Sequence, residues 1–297
     1  MPALYLGQAI VQLLEETNPP VVTEYSLYAL VRPILESGSY KGRPITRMPT
    51  HWGHSQLRAM IYTLMKKRTL APDEDFKTGV WQFVQSLTAA SAEQAICLVD
   101  PFAYISHLSA MQRYGFTDRA PEALHMTTPA RALWTQMRTQ RMAEDYSEAS
   151  VIERPPPLIR IGLQSVIRRR PISLHETKHP ARPTDIADNS SRIANVGRVF
   201  VDMLDEPALC GGIQHVLQTF ERHAEDWVEE IAGAVDAFDS PIIYVRAGYI
   251  FDELLDIRIP QVERWHGFAQ RGGSRKLDPH AEYGSRFSAK WMMALNV

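Results

Sequence analysis

Apolar positions recur every three to four residues along three stretches near the start of the chain, and each stretch predicts an amphipathic helix. The first carries Leu4, Leu6, Ala9, Ile10, Leu13 and Leu14 and is stopped by Asn18, Pro19 and Pro20. After an extended Val21 and Val22, Thr23 is placed to cap a second helix through Tyr25, Leu27, Leu30, Val31 and Ile34, which Pro33 must bend or shorten. A loop rich in Gly, Pro and basic residues spans 37–50. A third helix begins near Ser55, with Leu57, Met60, Ile61, Leu64 and Met65 on its buried face and Gln56, Arg58, Thr63, Lys66 and Lys67 on its outer face. Two strand-like pieces, Thr69 to Ala71 and Gly79 to Val84, are joined by a polar turn through Asp73, Glu74 and Asp75.

Later patterning alternates between periods. Residues 129–146 read as a helix with Pro129 in its first turn and an apolar stripe of Leu133, Trp134 and Met137. The stretches PLIRIGL (157–163) and SVIRRRPIS (165–173) read as strands within a basic run from Arg154 to Arg182. Residues 198–238 carry helical periodicity in three pieces broken at Pro207 and at Gly211 and Gly212, and 241–255 read as a strand-like start running into a helix. The fold class expected is α+β: an N-terminal winged helix-turn-helix over 1–88, then a larger mixed α/β domain over 89–297.

Charge changes this picture in one place. The whole chain of 297 residues has a formal net charge of only -2, yet Lys41, Arg43, Arg47, Arg58, Lys66, Lys67 and Arg68 lie in a run without a single Asp or Glu. A solvated helix face usually mixes both signs, so a one-sign run points to a polyanion. Helix, helix, basic loop, helix, hairpin is the element order of a winged helix, whose third helix enters the major groove. His51, His54, Ser55, Gln56 and Arg58 then offer hydrogen bonds to base edges, while Arg43, Arg47, Lys66, Lys67, Arg68 and Lys77 lie against phosphates. The acidic turn argues that the wing grazes the duplex through Lys77 rather than entering a groove.

The stretch LVDPFAYISHLSAMQRYGFTDRAPEALHMTTPA (98–130) resembles the signature of the AbiEi family of antitoxin regulators from type IV toxin-antitoxin (abortive infection) systems. VRAGYIFDE (245–253), QRGGSRKLDP (270–279) and KWMMALNV (290–297) are similar to that family's later segments. The resemblance implies an N-terminal winged helix that binds and represses its own promoter, and a C-terminal domain that counters a nucleotidyltransferase-type toxin. It also implies that Arg47, His51, Ser55, Gln56 and Arg58 take the DNA role, that no catalytic residues carry over, and that neither metal nor cofactor is called for. On an inverted repeat such a protein binds as a homodimer or as cooperative monomers.

Other chemistries weigh less. His175, Glu176 and His179 spell the His-Glu-x-x-His of zinc hydrolases, but Pro180 pushes His179 toward extended backbone, and no third ligand stands at signature spacing. Ser106 and His107 suggest a nucleophile and base, yet neighbours on a helix point about 100 degrees apart. Gly272 and Gly273 lack the spacing of a phosphate cradle. Arg168, Arg169, Arg170, Arg271, Arg275 and Lys276 remain as contacts to a partner or a DNA backbone. The acidic groups Asp202, Asp205, Glu206 and Asp252, Glu253 read as surface charge or helix ends, and Cys97 and Cys210 as buried thiols. No apolar stretch suits a membrane span and no leader pattern opens the chain, so a cytoplasmic protein is expected. A regulator whose C-terminal half is a sensor or oligomerisation domain, with no toxin, is the alternative.

Overall fold

The computed structural model describes residues 3–48, 52–76, 78–87, 89–146, 155–187, 190–270 and 275–297. In chain order it opens with β1 (Leu4–Tyr5), α1 (Leu6–Thr17), β2 (Val21–Thr23), α2 (Glu24–Ser37), β3 (Ser39–Tyr40), β4 (Arg43–Thr46), α3 (His54–Lys66), β5 (Leu70–Pro72), β6 (Val80–Phe83) and α4 (Ala92–Val99). There follow β7 (Tyr104–Ile105), α5 (His107–Arg113), β8 (Leu124–Pro129), α6 (Arg131–Asp145), β9 (Val166–Ile167), β10 (Arg170–Thr177), β11 (Thr184–Asp185) and β12 (Arg192–Ile193). Helices α7 (Val196–Asp205), α8 (Ile213–His223), α9 (Val228–Phe238), α10 (Pro241–Tyr249) and α11 (Pro260–His266) precede the hairpin β13 (Phe287–Ser288) and β14 (Met293–Ala294). The fold is mixed α+β, and among the described residues no helix is long and apolar enough to cross a membrane.

The chain divides into two units, one of Met1–Ala103, Thr128–Ile172 and Ala187–Ser191, the other of Tyr104–Thr127, Ser173–Ile186 and Arg192–Val297. This differs from the expected division at residue 88. The first unit recruits α4 and α6 because a buried carboxylate gathers them. Asp100, fully buried at the end of α4, accepts hydrogen bonds from Trp134 Nε1 (2.9 Å), Thr128 Oγ1 (2.9 Å), Ile161 N (3.1 Å) and Phe102 N (3.0 Å). The far end of α6 is held by α2: Tyr25 donates to Asp145, Arg32 donates to the Asp145 carbonyl at 2.6 Å, and Tyr146 stacks on Tyr28 with ring centroids 5.5 Å apart.

Within this unit the three predicted helices form, and their apolar faces meet where periodicity places them. Ile10, Leu14, Leu27, Val31, Leu57, Ile61 and Leu64 share one core with Trp52 and Phe83. Thr23 caps α2, its hydroxyl accepting from Ser26 N at 3.1 Å while Thr23 N donates to Ser26 Oγ at 2.8 Å. Pro33 does not end the helix, which continues to Ser37. The residue four before it, Ala29, is exposed, so the carbonyl that loses its proline partner lies on the water-facing side. β2 pairs antiparallel with β6, and β6 with β5, giving a three-stranded sheet. β4 pairs antiparallel with β3 and parallel with β1, so Leu4 and Tyr5 are strand rather than the start of the first helix.

In the second unit β12 lies between β11 and β7, and β8 is the next neighbour. Helices supply most of the remaining core. Gly197 on α7 is required because an added Cβ would sit 2.0 Å from the Glu230 carbonyl oxygen of α9. The expected strand at 241–245 is helix: Ile243, Val245 and Ala247 are fully buried, and so are Ile250 and Phe251 just beyond α10. Burial on several sides favours a helix over a strand that would need pairing partners. PLIRIGL is likewise not a strand, and Pro129 ends β8 instead of opening α6.

Replacing Asp100 by Ala strands at least three buried donors, each costing about 1 to 3 kcal/mol. Urea unfolding of the variant is expected to show a loss of about 3 kcal/mol or more, whereas Glu144→Ala on the exposed face of α6 changes little.

Candidate nucleic-acid interface

α3 places the residues singled out by the sequence. Leu57, Ile61 and Leu64 are buried, which turns Ser55, Gln56, Arg58, Lys66 and Lys67 outward, all exposed, with His54 half-buried at the first turn. Gln56 is tied to the helix start: its side-chain oxygen accepts from Gly53 N at 3.1 Å and from Ser55 Oγ at 2.7 Å, which leaves its amide NH2 directed elsewhere. Arg58 stands 3.7 Å from Glu24, a loose pair at an arginine that is 72% exposed. Lys66 lies over the Tyr62 ring at 4.8 Å from its centroid. Arg43 is half-buried on β4, and Arg47 is exposed just after that strand. His51 and Lys77 lie outside the described residues.

The acidic turn after β5 is not the free negative patch that its sequence suggests. Asp73 is 2% exposed and Asp75 half-buried, and both are paired with Arg168. Arg168 Nη2 stands 2.5 Å from Asp73 Oδ2, its Nη1 donates to Asp73 Oδ1 at 2.9 Å and to Asp75, and its backbone N donates to Asp75 Oδ2 at 3.0 Å. The fork geometry makes this a charge-assisted contact, and the hydrogen bonds to Asp73 raise the Arg168 pKa against the opposing effect of burial. Glu74 alone of the three acids is exposed.

Several expected contact residues are therefore committed inside their own unit. Arg168 grips the two aspartates, and Arg170 lies 3.5 Å from Glu93, whereas Arg169 between them is exposed. In the second unit Arg275 donates to the Phe268 carbonyl, and Lys276 donates to the Ala281 carbonyl at 2.8 Å and lies over the Tyr283 ring. Neither projects as an open contact, and Arg271 lies outside the described residues.

The second unit gathers polar groups that sequence reasoning kept apart. Ser106 and His107 do face each other, with Oγ and Nδ1 2.8 Å apart. The helical 100 degree argument does not apply, because Ser106 is the extended residue before α5 (φ -143, ψ 178) and His107 has φ 49. Thr127 Oγ1 donates to Ser106 Oγ at 2.7 Å, and His107, His125 and His175 form a cluster with ring centroids 4.6 to 6.0 Å apart. Ser106 is fully buried, which denies a nucleophile its substrate. His175 lies on β10 with Nε2 3.0 Å from His125 Nδ1, while His179, beyond the strand, packs on Phe238. An extended 173–177 separates the two imidazoles that a zinc helix would align, and among the described residues no group of three His, Cys, Asp or Glu is placed to hold a metal.

Of the acidic groups read as surface charge or helix ends, Asp202 is buried, Asp205 and Glu206 are half-buried at the end of α7, Asp252 is half-buried and Glu253 is exposed. Asp202 is 3% exposed and pairs with Arg198 at 2.5 Å. Asp252 accepts from Trp291 Nε1 at 2.9 Å and pairs with Lys290 at 2.6 Å, while Glu253 accepts from Ser288 Oγ at 2.8 Å. Gly248 lies against the Trp291 ring, which a Cβ would meet at 2.0 Å, and buried Arg246 donates to the carbonyls of Leu204 (2.7 Å) and Lys276 (3.0 Å). Cys97 and Cys210 are buried thiols, as read.

No family model matches the chain, and no curated protein does. Among solved structures it is similar to the crystal structure of the RV2827C protein from Mycobacterium tuberculosis, at 14% identity over 97% of this chain and 90% of that one, with a TM-score of 0.48.

Burial lowers the pKa of all three clustered histidines, to about 4 for His125 and about 3 for His175, and at those two the neighbouring imidazoles add to the effect. The unfolded chain binds protons from its ordinary value of 6.5 downward, before the folded one does. Stability is therefore complete above pH 6.5 and declines as pH falls toward 4, by at most about 1.4 kcal/mol per unit for each histidine. Urea titrations at stepped pH are expected to show this slope, and to show it reduced in a His125→Gln, His175→Gln double variant.

Proposed function

We propose that the protein is a DNA-binding repressor of its own operon and the antitoxin of a type IV toxin-antitoxin system, with the first unit acting as a winged helix. The observation that carries the DNA reading is the outer face of α3, where Ser55, Gln56, Arg58, Lys66 and Lys67 are exposed in a run free of acids. Its supports are the order α1, β2, α2, α3, β5, β6 and the pairing of β2 with the β5–β6 hairpin, which is the arrangement a winged helix uses to present a third helix. In that reading the N-terminal residues of α3, His54, Ser55, Gln56 and Arg58, face base edges. Arg43, Arg47, Lys66 and Lys67 lie along phosphates. His51 and Lys77 take the same two roles by sequence position. The internal pairing of Asp73 and Asp75 supports closer approach of the hairpin than its sequence suggests.

The antitoxin half of the proposal rests on the resemblance of 98–130 and 245–297 to AbiEi regulators. In this reading the second unit counters a nucleotidyltransferase-type toxin, without catalysis by this chain. A regulator with a sensor domain is the second reading, favoured by a cleft of about 1060 Å³ in the second unit, lined by Tyr114, Arg198, Trp227 and Phe238 among others.

Gel-shift titration against the DNA upstream of the gene, beside an unrelated duplex and at several salt concentrations, tests the first half. Promoter-selective binding with a steep salt slope is expected, and equal affinity for both duplexes overturns it. Arg58→Ala is expected to cost about 1 to 3 kcal/mol on the promoter alone, whereas Lys67→Ala weakens both duplexes and lowers the salt slope by about one. Co-expression with a nucleotidyltransferase encoded beside the gene tests the second half. Growth rescue is expected from the full chain, and its absence leaves the sensor reading in place.

A further inference from the structure

Ten non-glycine residues among those described have left-handed backbone, and five of them are Lys41, Arg47, Arg68, Arg168 and Arg169. All five belong to the first unit. Left-handed positions favour Gly, Asn and Asp, because other side chains crowd the backbone there. An arginine at such a position carries backbone strain that an asparagine or glycine would relieve.

Arg168 and Arg169 are the two central residues of the turn joining β9 to β10, with Arg170 pairing Ile167 across it. Their φ values of 51 and 60 define the tight hairpin turn for which Asn-Gly is the usual solution. Arg168 is engaged by Asp73 and Asp75. Arg169 is exposed, and among the described residues no hydrogen bond or ion pair engages it. The grip of Arg168 on Asp73 and Asp75 fixes the turn beside the β5–β6 hairpin and offsets part of the carboxylate charge there, with Glu74 left exposed.

We propose that the nucleic-acid surface of the first unit continues onto the β9–β10 turn, where Arg169 contacts a backbone phosphate next to the stretch reached by the β5–β6 hairpin. This rests on the DNA-binding reading. The contact reads no base, since an arginine at a turn tip meets the nearest phosphate whatever the sequence.

The test is Arg169→Asn in the full chain, compared with the unaltered protein on promoter and unrelated duplexes across a salt series, with a melting curve of each. Asparagine suits the left-handed position, so the melting temperature is expected to hold or rise. Affinity for both duplexes is expected to fall roughly fivefold near 0.15 M salt, with the salt slope lower by about one. Unchanged affinity and slope in the variant, with the unaltered protein still binding its promoter selectively, overturn this proposal alone. Failure of the unaltered protein to bind either duplex overturns the DNA reading and this proposal with it.

Discussion

A single buried carboxylate decides how the first unit is put together. Asp100 has nothing apolar about it, yet it sits where no water reaches and takes donors from an indole, a hydroxyl and two backbone amides. An acceptor of that capacity is costly to bury alone and stabilising once saturated, so its site forms only when β8, α6 and the segment at Ile161 have all arrived. The aspartate-proline pair in the family-like stretch is therefore a structural junction. It ties the end of α4 to β8 and α6.

The same holds for the other stretches that carry the resemblance. Arg246, Gly248, Asp252 and Glu253 receive the carbonyls and side chains of Lys276, Ser288, Lys290 and Trp291, so two segments that look unrelated in sequence are halves of one packing arrangement. Chemically plain motifs are what such mutual packing produces. A glycine is set by an indole, an arginine by two carbonyls.

Local order was legible wherever it depends on neighbours a few residues away. The periodicity of α1, α2 and α3 and the Thr23 cap follow from short-range rules. What sequence could not supply were partners far apart in the chain. Arg168 is separated from Asp73 by 95 residues, so a basic run and an acidic turn each looked exposed. Ser106 and His107 were misjudged for the opposite reason: one residue of uncertainty in the start of α5 moves the serine out of the helix and onto the imidazole. Residues 241–251 are rich in residues that suit strands, and only their burial on several faces makes them helical. The outward face of α3 was the most readable part of the candidate site, because its positions are fixed by the apolar ones between them.

The first unit is made of three separate lengths of chain, 1–103, 128–172 and 187–191, which alternate in sequence with those of the second. Units joined end to end can be exchanged whole between proteins, carrying a binding preference from one partner to another in a single recombination. Here such an exchange would need several simultaneous junctions, and would tear Asp100 from Trp134 or Asp73 from Arg168 if any junction missed. The ties that hold the first unit thus span its separate lengths of chain, and substitutions on exposed faces are the changes that leave them intact.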